Sequence, residues 1–430
     1  MQTLLLMVVI MLGVQMFMNT RNAPDGRSAP ELLKSMQTMN SQIKDISIVG
    51  EFSKFEAKIN DQVGKKELTV EVADQQKLQG KLLVADTQFR AGMLRNDFGR
   101  LSNAYNTLHP LFLVSEKNPA WNSTTVELGA HSKFPEKTAS PGPLYEKIRD
   151  TVNARSKTDL VMGVIPGYDT IDALVKLTGS ASGFSYAFAA FILALIVRAA
   201  IFPLAQKQYR WGKQMQQLQP ILAEVKEAYT DKKTGQISNM AEYQARSMEV
   251  YKAYGFNPFA GCWPALIQIP FFLIIYQCML HYRFEFQKGT FLWVNPATSA
   301  STNGWIAPNL GERDYLLVLV YAITMIVTTL MTPVSDPTNQ KQQRLMGVSM
   351  AVIFSIMMFF YPLPSAFTLY WIFLNIFATA QMLYAYRMPV PPLEKKTAST
   401  GGVFPVNGKM NNGASLKTGT PVKHRPKKKK

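Results

Sequence analysis

Charge is scarce in this sequence. Asp, Glu, Lys and Arg make up 17% of 430 residues, against roughly 25% in soluble globular domains. Cysteine is scarcer still: two residues exclude a disulfide scaffold. Cys262 and Cys278 lie on one apolar run, about 24 Å apart if that run is helical, so they cannot bridge each other. His109, His131, His281 and His424 never pair at helical spacing, which leaves no zinc motif. There is no G-x-x-x-x-G-K-[ST] string, hence no P-loop and no ATP engine, and no inverted repeat of the transporter kind. The sequence therefore supports neither an enzyme nor a cofactor site. Acidic residues are also in deficit, 29 against 46 basic ones, for a formal charge of +17. A hydrophobic fraction of 47% excludes general disorder.

What is present is a set of long apolar runs. Thr3–Met18, Phe259–Leu280, Tyr315–Pro333, Leu345–Tyr361 and Ala366–Tyr386 carry no charge, and Phe184–Ala205 carries only Arg198. A bilayer core needs about 20 helical residues, and soluble core helices rarely run so far without charge on any face. The expected fold class is an α-helical polytopic membrane protein: an N-terminal anchor span (residues 1–18) and a five-span core within 183–387. Its spans fall near 184–205, 259–280, 315–333, 345–361 and 366–386. The first run lacks a basic leader and an A-x-A exit, so it reads as an uncleaved anchor rather than a signal peptide.

Basic residues orient the chain. The connection 206–257 holds eight Lys/Arg, and the tail from Arg387 holds eleven against the single acid Glu394. Both then face the cytoplasm, as does the N-terminus. Residues 19–182 become an extracytoplasmic domain. Alternation over Lys44–Val72 suggests strands with turns at Gly50 and Asn60-Asp61, and helical spacing follows over Ala73–Val114. A Pro/Ser/Gly-rich linker near Ala139–Pro143 completes a small mixed α+β domain. A short amphipathic helix near 170–178 should lie along the outer interface. In the basic connection, Met215, Leu218, Leu222, Val225 and Tyr229 alternate three and four apart, and Met240, Tyr243, Val250 and Tyr254 continue the seam. That is the spacing of an antiparallel helical hairpin, kinked or opened by Pro220. The tail 388–430 is low in complexity and reads as disordered. Its end, Arg425, Lys427, Lys428, Lys429 and Lys430, suits a polyanion, either RNA or anionic lipid.

Arg198 is the residue that demands a reason. A guanidinium within a span costs at least about 2.5–3.5 kcal/mol on insertion scales. Lys207, which marks the cytoplasmic surface, lies about 13–14 Å away along a helix, roughly twice an arginine's reach. No Asp or Glu sits within any span to pair with it. A water-filled cavity open from the cytoplasm is the remaining explanation. Gln268 and Asn375, near mid-span, either line that cavity or make interhelical hydrogen bonds. Methionines 346, 350, 357 and 358 on the fifth span suit an adaptable surface or ordinary lipid-facing packing.

Several strings resemble the YidC/Oxa/Alb family of membrane protein insertases. They are LIVRAAIFPL at Leu195–Leu204, Leu218-Gln219-Pro220, YKAYGFNPFAGCWPALIQIPFFLIIY at Tyr251–Tyr276, FLWV at Phe291–Val294, Asp336-Pro337, and YPLPSAFTLYWIFLNIFATAQ at Tyr361–Gln381. They run in the family's order across Gly183–Arg387. The resemblance implies a bacterial inner-membrane insertase and chaperone with a hydrophilic groove open to the cytoplasm and lipid. Arg198 would be the groove arginine, and Gln268 and Trp371 substrate-contact positions. Implied partners are nascent membrane proteins, the bilayer, the ribosome at the basic tail, and the Sec translocon; no cofactor is implied. Two departures stand out. Ala194 replaces a hydroxyl residue that some relatives carry one turn before the arginine, and the outer domain is short for the Gram-negative type. An anion channel or transporter built on Arg198 is the alternative.

Overall fold

The computed structural model describes residues 26–231, 235–257, 263–333, 340–361, 363–390 and 392–393. The first apolar run, Asp336-Pro337 and the basic tail with Arg425 and Lys427–Lys430 lie outside these residues. Among the described residues the chain is mostly helical. Ser185–Tyr229, Lys341–Phe360 and Ser365–Arg387 are long and apolar enough to cross a membrane, and Gln268–His281 and Tyr315–Met331 are shorter apolar helices.

The domain ahead of these helices is itself helical. It comprises α1 (Ala29–Ser41), α2 (Asp45–Gly64), α3 (Val70–Arg95), α4 (Phe98–Phe112) and, after a two-residue ladder of β1 (Val126–Glu127) with β2 (Thr138–Ala139), α5 (Pro141–Thr158). This corrects the mixed α+β reading. Lys44–Val72 forms α2, its exit and the start of α3, not strands, because Ile48, Phe52, Phe55 and Ile59 recur at three- and four-residue spacing and turn one face toward the domain core. Gly50 and Asn60-Asp61 lie within that helix; a glycine there costs about 1 kcal/mol relative to alanine, which the buried face outweighs. Pro141 likewise opens α5 instead of belonging to a linker, since a proline at the first helical position gives up no hydrogen bond.

Local signals fix the helix ends. The Ser28 N–H donates to Glu31 Oε2 at 2.7 Å, forming a capping box for α1. Asn96 ends α3 in the left-handed region, and the Asp97 carboxylate then caps α4. A buried polar knot joins the layers. Asn40 Nδ2 donates to Asp86 at 2.8 Å and to Thr87 at 2.9 Å, while its Oδ1 accepts from the Gly129 N–H at 2.8 Å. Arg90 pairs with Asp86 at 2.6 Å.

After α6 (Gly167–Leu177) comes α7 (Ser185–Tyr229), a continuous helix that runs through the apolar bundle and out into the hairpin. There Met215, Leu218 and Leu222 bury against Val250 and Tyr254 at α8 (Met240–Ala253). Pro220 lies inside α7, not at its start. The remaining apolar helices are α9 (Trp263–His281), α10 (Tyr315–Met331), α11 (Gln340–Phe360) and α12 (Ser365–Arg387). Helix α12 runs parallel to α7: Phe191 meets Phe373 and Phe377, each at 5.3 Å, and Gln381 donates to the Phe202 carbonyl at 3.4 Å. Helix α10 packs between α11 and α12.

The helical domain is clamped to the loops at one end of the bundle. His109 and Glu312 are both buried, and His109 Nε2 donates to both Glu312 oxygens at 2.9 Å. The other ring nitrogen meets the Tyr145 hydroxyl at 2.8 Å and that of Tyr105 at 3.0 Å. Arg283 lies over the Tyr105 ring and donates to Asn106 at 2.5 Å. The Glu312 carbonyl accepts from the Ser365 N–H at 2.8 Å and hydroxyl at 2.5 Å, tying the same residue to the start of α12. Burial by itself raises the Glu312 pKa, but His109 and Arg283 outweigh it and hold the carboxyl below its ordinary 4.5. Its contribution to stability is therefore complete above pH 4.5 and is lost as pH falls through the depressed folded value. Glu312→Gln should lower stability by about 3 kcal/mol near neutrality, because it breaks a buried pair. It should also flatten the loss of stability below that pH. Thermal melts of the purified protein from pH 7 downward check both.

Candidate functional site

Arg198 stands on α7 between Phe191 and Phe202, so it lies at the height of the Phe377–Gln381 turn of α12. Its side chain is largely withdrawn from the surface, and Nε is buried with no hydrogen-bond partner. Two phenols act on the guanidinium: Tyr209, from the hairpin side, through a hydrogen bond, and Tyr370, from the domain side, at longer range. Neither tyrosine was singled out from the sequence. Tyr209 follows Arg198 by three helical turns on one face, a usable signal. Tyr370 comes from another helix, and no local pattern announces it.

Trp371 lies on the domain side of that level, at the centre of an aromatic layer. Its ring packs 5.7 Å from Phe272, 6.1 Å from Tyr321, 6.0 Å from Phe354 and 6.2 Å from Phe367, contacting α9, α10, α11 and α12 together. The Tyr276 and Tyr361 hydroxyls meet at 3.4 Å above it, joining α9 to the end of α11. The indole Nε1 of Trp371 is buried and unpaired, although burial normally requires a partner. Arg198 Nε and Trp371 Nε1 are both obligate donors, so the interior offers hydrogen bonds and lacks matching acceptors at these two points.

Asn375, one turn below Trp371, donates to Thr324 on α10 at 3.4 Å; below it, Thr328 and Thr379 share a hydrogen bond at 2.7 Å. These residues form an interhelical ladder between α10 and α12, which is the structural one of the two roles open to Asn375. Gln268 is half-buried on α9, one turn before Phe272, the residue that touches Trp371. Gln268, Trp371 and Asn375 thus line up through Phe272 and one face of α12, while Arg198 stands on α7. The basic tail residues lie outside the described residues. A separate cleft of about 530 Å³ between α10 and α11 is lined by apolar groups including Leu319, Val352 and Ile356, and contains none of these four side chains.

A family model described as 60Kd inner membrane protein matches residues 177–391, the segment that holds every one of these side chains. The chain belongs to this family, that of the YidC/Oxa/Alb insertases. It is 35% identical over 204 residues to Membrane protein insertase YidC of Syntrophus aciditrophicus (strain SB), covering 46% of this chain and 32% of that protein. Membrane protein insertase YidC 1 of Bacillus anthracis is 31% identical over 204 residues, 47% of this chain and 72% of the relative. YidC 2 of the same organism is 31% identical over 234 residues, 54% and 82%. The chain therefore spans about a third of the Syntrophus protein and most of the shorter Bacillus ones. Family and apolar helices together identify a multi-pass inner-membrane protein.

The site makes a contrast between two neighbours on α12. Trp371→Ala removes the ring that joins four helices and should cost about 3–5 kcal/mol. Asn375→Ala removes one interhelical hydrogen bond and should cost about 0.6 kcal/mol. Thermal shift in detergent, with both variants measured side by side, reads the difference.

Proposed function

We propose that this chain is a membrane protein insertase and chaperone, acting alone or with the Sec translocon. It takes a polar segment of a nascent membrane protein from the hairpin side, holds it beside Arg198, and releases the hydrophobic segment into lipid along α9 and α11. On this reading the hairpin, the tail and both termini face the cytoplasm, and residues 19–182, with α6 lying along the interface, face the periplasm. Residues 1–18 anchor the domain, and Lys427–Lys430 with Arg425 contact the ribosome.

The observation that carries the reading is the order of two features along the bundle. Arg198 lies on the hairpin side, and the aromatic layer around Trp371 lies between it and the clamped domain. On this reading a cavity at Arg198 opens to water from the hairpin side only. That favours transient binding of a substrate over passage of a solute, and nothing in the family match supports a channel. Unpaired donors at Arg198 and Trp371 suit a substrate rich in carbonyls and carboxylates. No nucleotide is needed. Burial of the substrate's apolar surface supplies about 25 cal/mol per Å², and α9 and α11 offer outward-facing Ile269, Leu273, Ile353 and Met357 as the path.

Photo-crosslinkers placed at Gln268 or Trp371 should trap nascent chains during insertion; capture of lipid alone while insertion proceeds overturns the groove assignment. Arg198→Leu should slow insertion of a substrate with an acidic leading segment about tenfold, or ~1.4 kcal/mol. Arg198→Lys should retain most of it, since charge matters here more than a bidentate fork. Insertion into proteoliposomes, scored by protease protection, measures both; equal rates for Leu and Arg remove the arginine from the mechanism.

A further inference from the structure

Between α5 and α6 the chain makes a tight turn whose six residues, Leu160 to Ile165, include no polar side chain. Val161 and Ile165 close it, with the Val161 N–H donating to the Ile165 carbonyl at 2.7 Å and the Ile165 N–H returning to Val161 at 3.0 Å. The closing residues face inward and pack on the bundle's core; Val161 is 2% exposed. The intervening residues do the reverse: Met162 is 61% exposed and Val164 77%, with Leu160 at 50% just outside. Met162 holds φ at +52° and Gly163 at +73°. A methionine seldom adopts that region, and here the conformation sets its side chain outward.

Contacts fix the height of this turn relative to the membrane helices. Gly167, two residues beyond it, approaches α9 so closely that a β-carbon there would stand 3.2 Å from Cys278 Cα. Cys278 is two residues from Tyr276, whose hydroxyl meets Tyr361 at the end of α11. At that same end, Phe360 is 75% exposed and Tyr361 45%. Tyr315 packs on Phe359 at 4.8 Å and on the exposed Trp305 at 5.4 Å. Exposed Trp and Tyr at the ends of apolar helices mark the membrane–water boundary. The turn is thus level with that belt, on the flank of α9, and its apolar tip is bare of protein.

We propose that the turn Leu160–Ile165 is a lipid anchor that inserts Met162 and Val164 into the bilayer leaflet on the side of the helical domain. Its occupant is the acyl-chain boundary of that leaflet, because the turn continues the surface already presented to lipid by the helix ends. The inserted tip and the His109–Glu312 clamp then fix the domain at two separated points, one in lipid and one in protein. The inference rests on the membrane-spanning character of the helices and not on insertase activity.

The unmodified chain, reconstituted in vesicles of phosphatidylethanolamine and phosphatidylglycerol carrying a tail-diazirine lipid, provides the test. After photolysis, adducts should map to Leu160–Val164 at a yield within severalfold of that at Phe360, while exposed Ile46 on α2 stays unlabelled. Absence of adducts in the turn, with Phe360 labelled, overturns the proposal. A second measurement uses spin labels at Met162→Cys and Val164→Cys, with Cys262 and Cys278 replaced by alanine. Collision with oxygen should exceed collision with a water-soluble nickel chelate severalfold relative to Ile46→Cys. Equal access to the chelate at all three sites overturns the anchor. Protection from both reagents also overturns it, because the tip then lies against protein.

Discussion

One guanidinium, that of Arg198, is held within an apolar helix of the bundle. A charge at that depth is tolerated only where water or fixed dipoles replace bulk solvent, and around Arg198 the nearby charge-bearing candidates are phenols. Tyrosine hydroxyls temper the desolvation without neutralising the charge. A carboxylate would have made a closed ion pair and a finished structural element. At Arg198 the Nε donor stays buried without a hydrogen-bond partner.

A layer of aromatic rings lies within the bundle. Phe272, Tyr321, Phe354 and Phe367 surround Trp371 with ring separations between 5.7 and 6.2 Å, on four different helices. Flat rings fill irregular space between helices, and their tilted arrangement joins α9, α10, α11 and α12 at one level. Below that level the contacts between α10 and α12 turn polar, through Asn375, Thr324, Thr328 and Thr379. Along one face of α12 the packing thus changes from aromatic to hydroxyl-lined.

The parts legible in the sequence are those governed by local composition. Arg198 is visible because nothing near it in the chain is charged. Met215, Leu218 and Leu222 are visible because burial in a two-helix seam imposes three- and four-residue spacing. In the outer domain two periods compete: Ile46 and Ile48 alternate like a strand, yet Ile48, Phe55 and Ile59 are the residues that bury. Only tertiary pairing with α3 decides between them. His109 and Glu312 lie 203 positions apart, and Tyr370 comes to Arg198 from the last helix. No one-dimensional pattern encodes such meetings, so the clamp and the polar surroundings of the arginine emerge only from the folded chain.

Helix α7 has 45 residues, which at 1.5 Å each make a rod of about 68 Å, more than twice the apolar thickness of a bilayer. Arg198 and the first hairpin arm are therefore parts of one mechanical element. Its prolines, Pro203 and Pro220, are joints where a missing N–H lets the rod flex, and the first lies just below the arginine. A hairpin movement that keeps the helix straight therefore carries Arg198 with it, and a bend at Pro203 uncouples the two.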